Sequence, residues 1–171
     1  AVARVRRALA VFGKFKSVYF DHKARSAVDC PHNPWSIQNH AVFADVDAHL
    51  QRLHDLLDVA QTSLQYGKLA RTEVGGTKGR TLGPSVRQVH ADFFRALRGL
   101  SACPVDLLDL EKKPFEDLYC GFRAQVKEFD RRLASVILQA LDDAQTVNGR
   151  FKVLGSFACV LARPAVADEL E

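Results

Sequence analysis

The chain has 171 residues, 47% hydrophobic and 26% charged, with a net charge of +4, the balance of an ordinary folded domain rather than a disordered or fibrous one. A chain of this length buries roughly 70% of the surface its unfolded form exposes, so a core needs no disulfide staples. No run approaches the roughly 18–20 apolar residues of a membrane span, and the arginine-rich start lacks the small-residue cleavage site of a signal peptide.

The first residue is not Met and the chain contains no Met, which is the pattern expected of an excerpt from a longer protein. Cys30, Cys103, Cys120 and Cys159 are 73, 17 and 39 residues apart, giving neither a CxxC pair nor a dense disulfide framework. Cys120 and Cys159 fall in apolar helical runs, where a thiol behaves as a small hydrophobe. Reduced thiols point to the cytosol.

The predicted elements begin with a basic amphipathic helix over residues 1–27. Arg4, Arg6, Arg7, Lys14, Lys16, Lys23 and Arg25 face a single acid, Asp21, so this arm carries +6 and the rest of the chain −2. Val2, Val5, Leu9, Phe12, Phe15 and Tyr19 recur at spacings of three and four, the stripe of a helix with one packed face. The basic side chains read first as a solvated face, and second as a surface for an acidic partner or nucleic acid. Residues 28–39 hold Pro31, Pro34 and Trp35 and form a connector, because proline drives its predecessor out of the helical region.

A long helix follows from about Asn39, a suitable N-cap, to about Ala70. Its apolar positions are Val42, Phe43, Val46, Leu50, Leu53, Leu57, Ala60 and Leu64, with Asp45, Arg52, Asp55 and Asp58 on the other side. Gly75, Gly76, Gly79 and Gly83 then interrupt the pattern, since glycine in a helix costs about 1 kcal/mol relative to alanine. A third helix is expected near Pro84, with proline in its first turn and Val86, Val89, Phe93, Leu97 and Leu100 inward. Residues 101–113 connect to the strongest helical pattern, opened by Pro114. There Phe115, Leu118, Phe122, Val126, Phe129, Leu133, Val136 and Ala140 form a near-heptad seam. Glu116 and Asp117 suit the positive end of its dipole, and Asn148-Gly149 suits a left-handed C-cap. A last helix over about 150–162 is expected to bury Phe151, Leu154, Phe157, Ala158 and Leu161. No stretch alternates with the period of two that a half-buried strand needs. The fold class is therefore all-α: an elongated bundle of about five helices, two of them about 30 residues and about 45 Å long. Residues 40–171 form its body.

Candidate chemistry is sparse. The run Gly75-Gly76-Thr77-Lys78-Gly79-Arg80-Thr81 places its lysine before the last glycine and follows a helix, unlike a phosphate-binding loop. An interhelical turn needing a positive φ fits better. Cys30 and His32, with His22 and His40 nearby, supply one thiolate where structural zinc takes four paired ligands. His49 and His54 are five apart and point to different sides. Asp142 and Asp143 are adjacent and diverge, so they read as an acidic helix end. His90 reads as a helix-surface or core-edge residue. No catalytic set, cofactor site or metal site can be assembled.

The motifs around the glycine loop nevertheless form an ordered series. Lys68-Leu69-Ala70-Arg71-Thr72-Glu73-Val74-Gly75-Gly76-Thr77-Lys78-Gly79-Arg80-Thr81-Leu82 resembles a signature of the dynein heavy-chain tail. So do Asp106-Leu107-Leu108-Asp109, Phe115-Glu116-Asp117-Leu118-Tyr119 with Phe122, Phe129-Asp130-Arg131-Arg132-Leu133-Ala134 and Leu141-Asp142-Asp143. Phe151-Lys152-Val153-Leu154 and Leu161-Ala162-Arg163-Pro164 are similar to the elements that close the unit. The series spans about Val42 to Leu170. Ala70 departs from the acid usual there and Leu141 from the common Phe. The form is more axonemal than cytoplasmic, with the outer arm favoured.

This resemblance implies a non-catalytic structural role. In the family the ATPase ring, linker and stalk lie far downstream of the tail. The tail's helical bundles join heavy chains to one another, carry intermediate and light chains, and anchor the motor to the doublet microtubule through the assembled complex. The implied setting is cytoplasm and cytoskeleton, in the axoneme of a cilium or flagellum, with no cofactor, nucleic acid or membrane involved. The motif residues expected to matter structurally are Glu73, Gly75, Gly76, Gly79, Arg80, Leu82, Phe115, Asp117, Arg131, Arg132, Leu133, Phe151, Lys152, Arg163 and Pro164. The alternatives are an unrelated helical adaptor with a basic first helix, and a nucleotide enzyme built on the glycine loop.

Overall fold

A computed structural model describes residues 2–29, 39–102, 109 and 114–171. These residues form six α-helices and no strand: α1 (Val2–Asp29), α2 (Asn39–Lys68), α3 (Gly79–Ser101), α4 (Pro114–Asp143), α5 (Val147–Ser156) and α6 (Pro164–Leu170), with a 3-10 turn at Leu69–Arg71. The all-α bundle is thus the fold. Cys30, Pro31, His32, Pro34 and Trp35 lie outside the described residues, as do Cys103 and Asp106-Leu107-Leu108. No described helix is long and apolar enough to cross a membrane.

Two compact units are present, divided within α2 between Gln61 and Thr62. In the first, Phe43 of α2 is buried and receives the aromatic rings of α1: Tyr19 edge-on at 4.8 Å, Phe20 at 5.4 Å and Phe15 at 6.0 Å. Lys16 closes the same contact, its Nζ 2.5 Å from Asp47 Oδ1 and 5.3 Å from the Phe43 ring centroid. Arg52, expected on the solvent side of α2, is buried.

The second unit is organised around α4, which packs against α3, α5 and α6. Because α4 has neighbours on several sides, its buried surface is wider than a two-position seam. Phe115, Phe122, Val126, Phe129, Leu133, Val136 and Ala140 are buried as expected, joined by Tyr119, Ala134 and Ile137, while Leu118 is exposed. The end of α2 shifts its buried face from Leu64, which is exposed, to Thr62 and Tyr66, and Leu69 follows. Tyr66 stacks on Phe93 of α3 with centroids 4.0 Å apart, and Phe93 meets Phe122 of α4 at 5.9 Å.

Three boundaries differ from the sequence expectation, each for a local reason. Helix α3 starts at Gly79 rather than near Pro84, which falls inside it, because the amide of Lys78 and the hydroxyl of Thr77 find an acceptor outside the helix. Asn148-Gly149 does not end α4. The chain leaves α4 at Asp143, and Thr146 caps a new helix by accepting the Gly149 N–H at 3.1 Å. The segment expected as one last helix divides into α5 and α6, with Pro164 in the first turn of α6. Of its expected core, Phe157 is fully buried, Leu154 and Leu161 are half-buried, and Phe151 and Ala158 are exposed; Val153 and Val160 fill the interior instead.

Candidate functional site

The polar groups of the second unit converge at two places. The first is built on Arg163, the residue preceding α6. Its Nε and Nη2 donate to Asp130 Oδ1 and Oδ2 at 2.6 and 2.9 Å, a bidentate pair. Its Nη1 donates to Gln65 Oε1 at 2.7 Å and Thr62 Oγ1 at 3.2 Å. Tyr66 Oη donates to Asp130 Oδ1 at 2.8 Å, and the guanidinium lies 5.4 Å from the Tyr66 ring centroid. Asp130 is only 3% exposed. Burial, with the Asp130 charge and hydrogen bond adding to it, pushes the Tyr66 phenol well above its ordinary value, so Tyr66 acts as a permanent donor. The cluster ties the end of α2, the middle of α4 and the start of α6 together.

The second place is the glycine loop. Asp143, at the C-terminal end of α4, accepts from Thr77 Oγ1 at 2.5 Å and from the Lys78 backbone N–H at 3.0 Å. Those two bonds, the hydroxyl first, hold the Asp143 carboxyl below its ordinary value. The carboxylate also sits at the N-terminal end of α3, the favourable end of the helix dipole for an anion. Gly76 has φ +88°, and a Cβ there would lie 2.6 Å from Asp143 Oδ2. A Cβ on Gly79 would lie 2.2 Å from the Val74 carbonyl oxygen, so both glycines are set by close approach. The positive φ expected of this turn is therefore found at Gly76, and Asp143 is a clasp rather than a plain acidic end.

A third contact joins α3 to α4. Arg132 Nη1 donates to Asp92 Oδ2 at 3.0 Å, and Asp92 Oδ1 takes Gln88 at 2.9 Å and Arg95 at 3.0 Å. Arg132 foremost holds the Asp92 carboxyl below its ordinary value. Arg131 reaches Glu128 at 3.7 Å and Glu169 of α6 at 3.8 Å, all well exposed.

The motif residues accordingly separate into two groups. Leu82, Phe115 and Leu133 are buried, Gly76 and Gly79 shape the loop, and Arg132 and Arg163 pair across helices. Glu73, Gly75, Arg80, Asp117, Arg131, Lys152 and Pro164 are exposed, as is Phe151 at 68%. Glu73, Gly75, Gly76, Lys152 and Phe157 line a cavity of about 170 Å³ beside Asp143. Among the described residues no three His, Cys, Asp or Glu gather as a metal site would require. His49 and His54 bond through Nδ1 to the carbonyl oxygens of Asp45 and Leu50, four residues back, and His90 lies against the Phe94 ring at 4.7 Å. Cys120 is exposed rather than packed; Cys159 is half-buried, and burial pushes its thiol up.

Sequence reasoning missed the functions of Asp130 and Asp143. A signal for Asp130 existed: Val126, Asp130, Leu133 and Ile137 share one helical stripe, and an acid within an apolar stripe requires a buried partner. Asp143 had none, since its partners lie 65 and 66 residues away.

A family profile described as "Dynein heavy chain, N-terminal region 1" matches residues 1–171. The chain is 42% identical over 171 residues to the dynein beta chain of the flagellar outer arm of Chlamydomonas reinhardtii, covering all of this chain and 4% of that one. It is 35% identical over 133 residues to the human dynein axonemal heavy chain 9, covering 78% of this chain and 3% of that one. It is 31% identical over 160 residues to the dynein-1-beta heavy chain of the flagellar inner arm I1 complex of Chlamydomonas reinhardtii, covering 93% of this chain and 4% of that one. The chain thus spans a small fraction of the length of the relatives it matches.

Proposed function

Because the chain belongs to the dynein heavy-chain family, in its N-terminal region 1, we propose that it is an assembly segment of an axonemal heavy-chain tail of the outer-arm type. It associates with other heavy chains and carries intermediate and light chains, anchoring the motor to the doublet microtubule through the assembled complex. The match along the whole chain, at 42% identity to a flagellar outer-arm beta chain, is the observation that carries this reading. The segment itself is a non-catalytic structural part of the tail, and any motor activity belongs to the rest of a much longer protein.

The geometry suits the role. Side-chain clusters at Asp130 and Asp143 lock helices to one another, which makes a stiff body on which exposed side chains hold fixed positions. We assign to the motif residues two tasks: Leu82, Phe115, Leu133, Arg132 and Arg163 hold the bundle, while Glu73, Arg80, Phe151 and Lys152 face partners.

The test is recovery of axonemal subunits. Tagged chain incubated with a salt extract of flagellar axonemes should retain dynein intermediate chains, light chains or a second heavy chain, identified by mass spectrometry. A chain with intact helical circular dichroism that retains no dynein subunit would refute the assembly role.

A further inference from the structure

Helix α1 has two faces, and the first unit uses only one. Val5, Leu9, Phe12, Lys16 and Tyr19 are half-buried, on the side that meets Phe43 and Asp47 of α2. On the other side Val11 and Val18 are 62% and 56% exposed, and Phe15, whose ring also meets Phe43 edge-on at 6.0 Å, keeps 53% of its surface exposed at the edge of the same stripe.

The charge along that outward stripe is predominantly positive. At about 100° per residue, Arg4, Arg7, Lys14 and Arg25 all fall within about 60° of Val11, and the one acid bordering them is Asp21, about 80° from Val11. All four cations are exposed. An apolar stripe flanked by charge at alternating spacings of three and four is the ridge that another helix accepts in its grooves.

We infer that the outward face of α1 is a docking surface for an acidic amphipathic helix of a separate protein chain, its apolar seam on Val11, Phe15 and Val18 and its Asp and Glu side chains on Arg4, Arg7, Lys14 and Arg25. This rests on the assembly role above and adds the surface and the chemistry of one partner. A second copy docking through its own α1 is a poor occupant, because it would set four cations against four cations. A lipid surface is also poor, since three apolar residues over about two turns give little area to insert. Nucleic acid would meet the cations but leave Phe15 and Val18 against water.

The experiment uses designed peptides of about four heptads, with Leu at the core positions and Glu or Lys at the flanking ones. Each is labelled and titrated with the chain, and binding is read by fluorescence anisotropy. The Glu-flanked peptide should bind and the Lys-flanked one should not. The double substitution Val11→Ser with Val18→Ser should weaken binding by roughly tenfold or more. The triple substitution Arg4→Glu, Arg7→Glu, Lys14→Glu should lose the Glu-flanked peptide and gain the Lys-flanked one, a reversal that misfolding could not produce.

No binding by the unsubstituted chain, equal binding of both peptides, or binding indifferent to these substitutions overturns the proposal. So does tighter binding to phosphatidylserine vesicles or to duplex DNA than to the Glu-flanked peptide. The axoneme experiment separates the two claims. A chain that retains dynein subunits but fails with the peptides loses only the α1 surface, and one that passes with the peptides but retains no dynein subunit loses only the assembly role.

Discussion

Replacing Arg163 with Leu isolates the buried cluster. The substitution removes both guanidinium bonds to Asp130, at 2.6 and 2.9 Å, and leaves that carboxylate only the Tyr66 hydroxyl at 2.8 Å. Thr62 and Gln65 each lose a donor. Taking one partner from a buried ion pair costs about 3–5 kcal/mol, because the remaining charge stays desolvated. For a chain of this size, at about 2–4 °C per kcal/mol, Tm should fall by roughly 6–20 °C. Thermal and urea unfolding followed by circular dichroism measure the loss. Adding Asp130→Asn to Arg163→Leu removes the stranded charge but keeps an acceptor for Tyr66, so the double variant should recover about 1–3 kcal/mol relative to Arg163→Leu alone. A cost below about 1 kcal/mol for Arg163→Leu, or a double variant that simply sums the two single losses, would refute the argument that charge burial governs this site.

Three other outcomes can be checked by the same unfolding measurements. Gly79→Ala and Gly76→Val should each destabilise by about 1–3 kcal/mol, the first through the Val74 carbonyl and the second through a positive φ that side chains resist. Leu133→Ala, at a fully buried position, should cost about 2–5 kcal/mol, whereas Phe151→Ser should change stability by less than about 0.5 kcal/mol because its ring is in water. The Asp143 carboxyl is held below its ordinary value, so its clasp is complete above the unfolded value of about 3.9 and weakens as pH falls through the lower folded value. The difference in Tm between the unsubstituted chain and Asp143→Asn should therefore be largest near neutral pH and vanish in strong acid.

Helix periodicity made most of the second unit legible. The stripe from Phe115 to Ala140 anticipated seven of the buried positions of α4, and the four-glycine run marked the turn where Gly76 takes its positive φ. What escaped has a common origin in distance along the chain. Arg52 read as solvated because nothing local indicates what a side chain will meet. Asp143 read as a plain acidic end because its partners lie 65 and 66 residues earlier, ahead of α3. Thr146 escaped for a different reason: its capping geometry competes with the Asn148-Gly149 pair two residues later, and the cap prevailed. Phe151 followed the period expected of one last helix, but the buried stripe there runs through Val153, Phe157 and Val160 and leaves Phe151 outside.

The clasp at Asp143 has a mechanical consequence. Helices α3 and α4 are joined covalently at one end by the chain between Ser101 and Pro114, and at the other end Asp143 holds the turn that opens α3. Without the clasp, tension on residues preceding α3 could separate the pair one contact at a time from its open end. With it, the same pull must first break the bonds of Thr77 and Lys78 to Asp143 before it reaches the packed rings of Phe93 and Phe122.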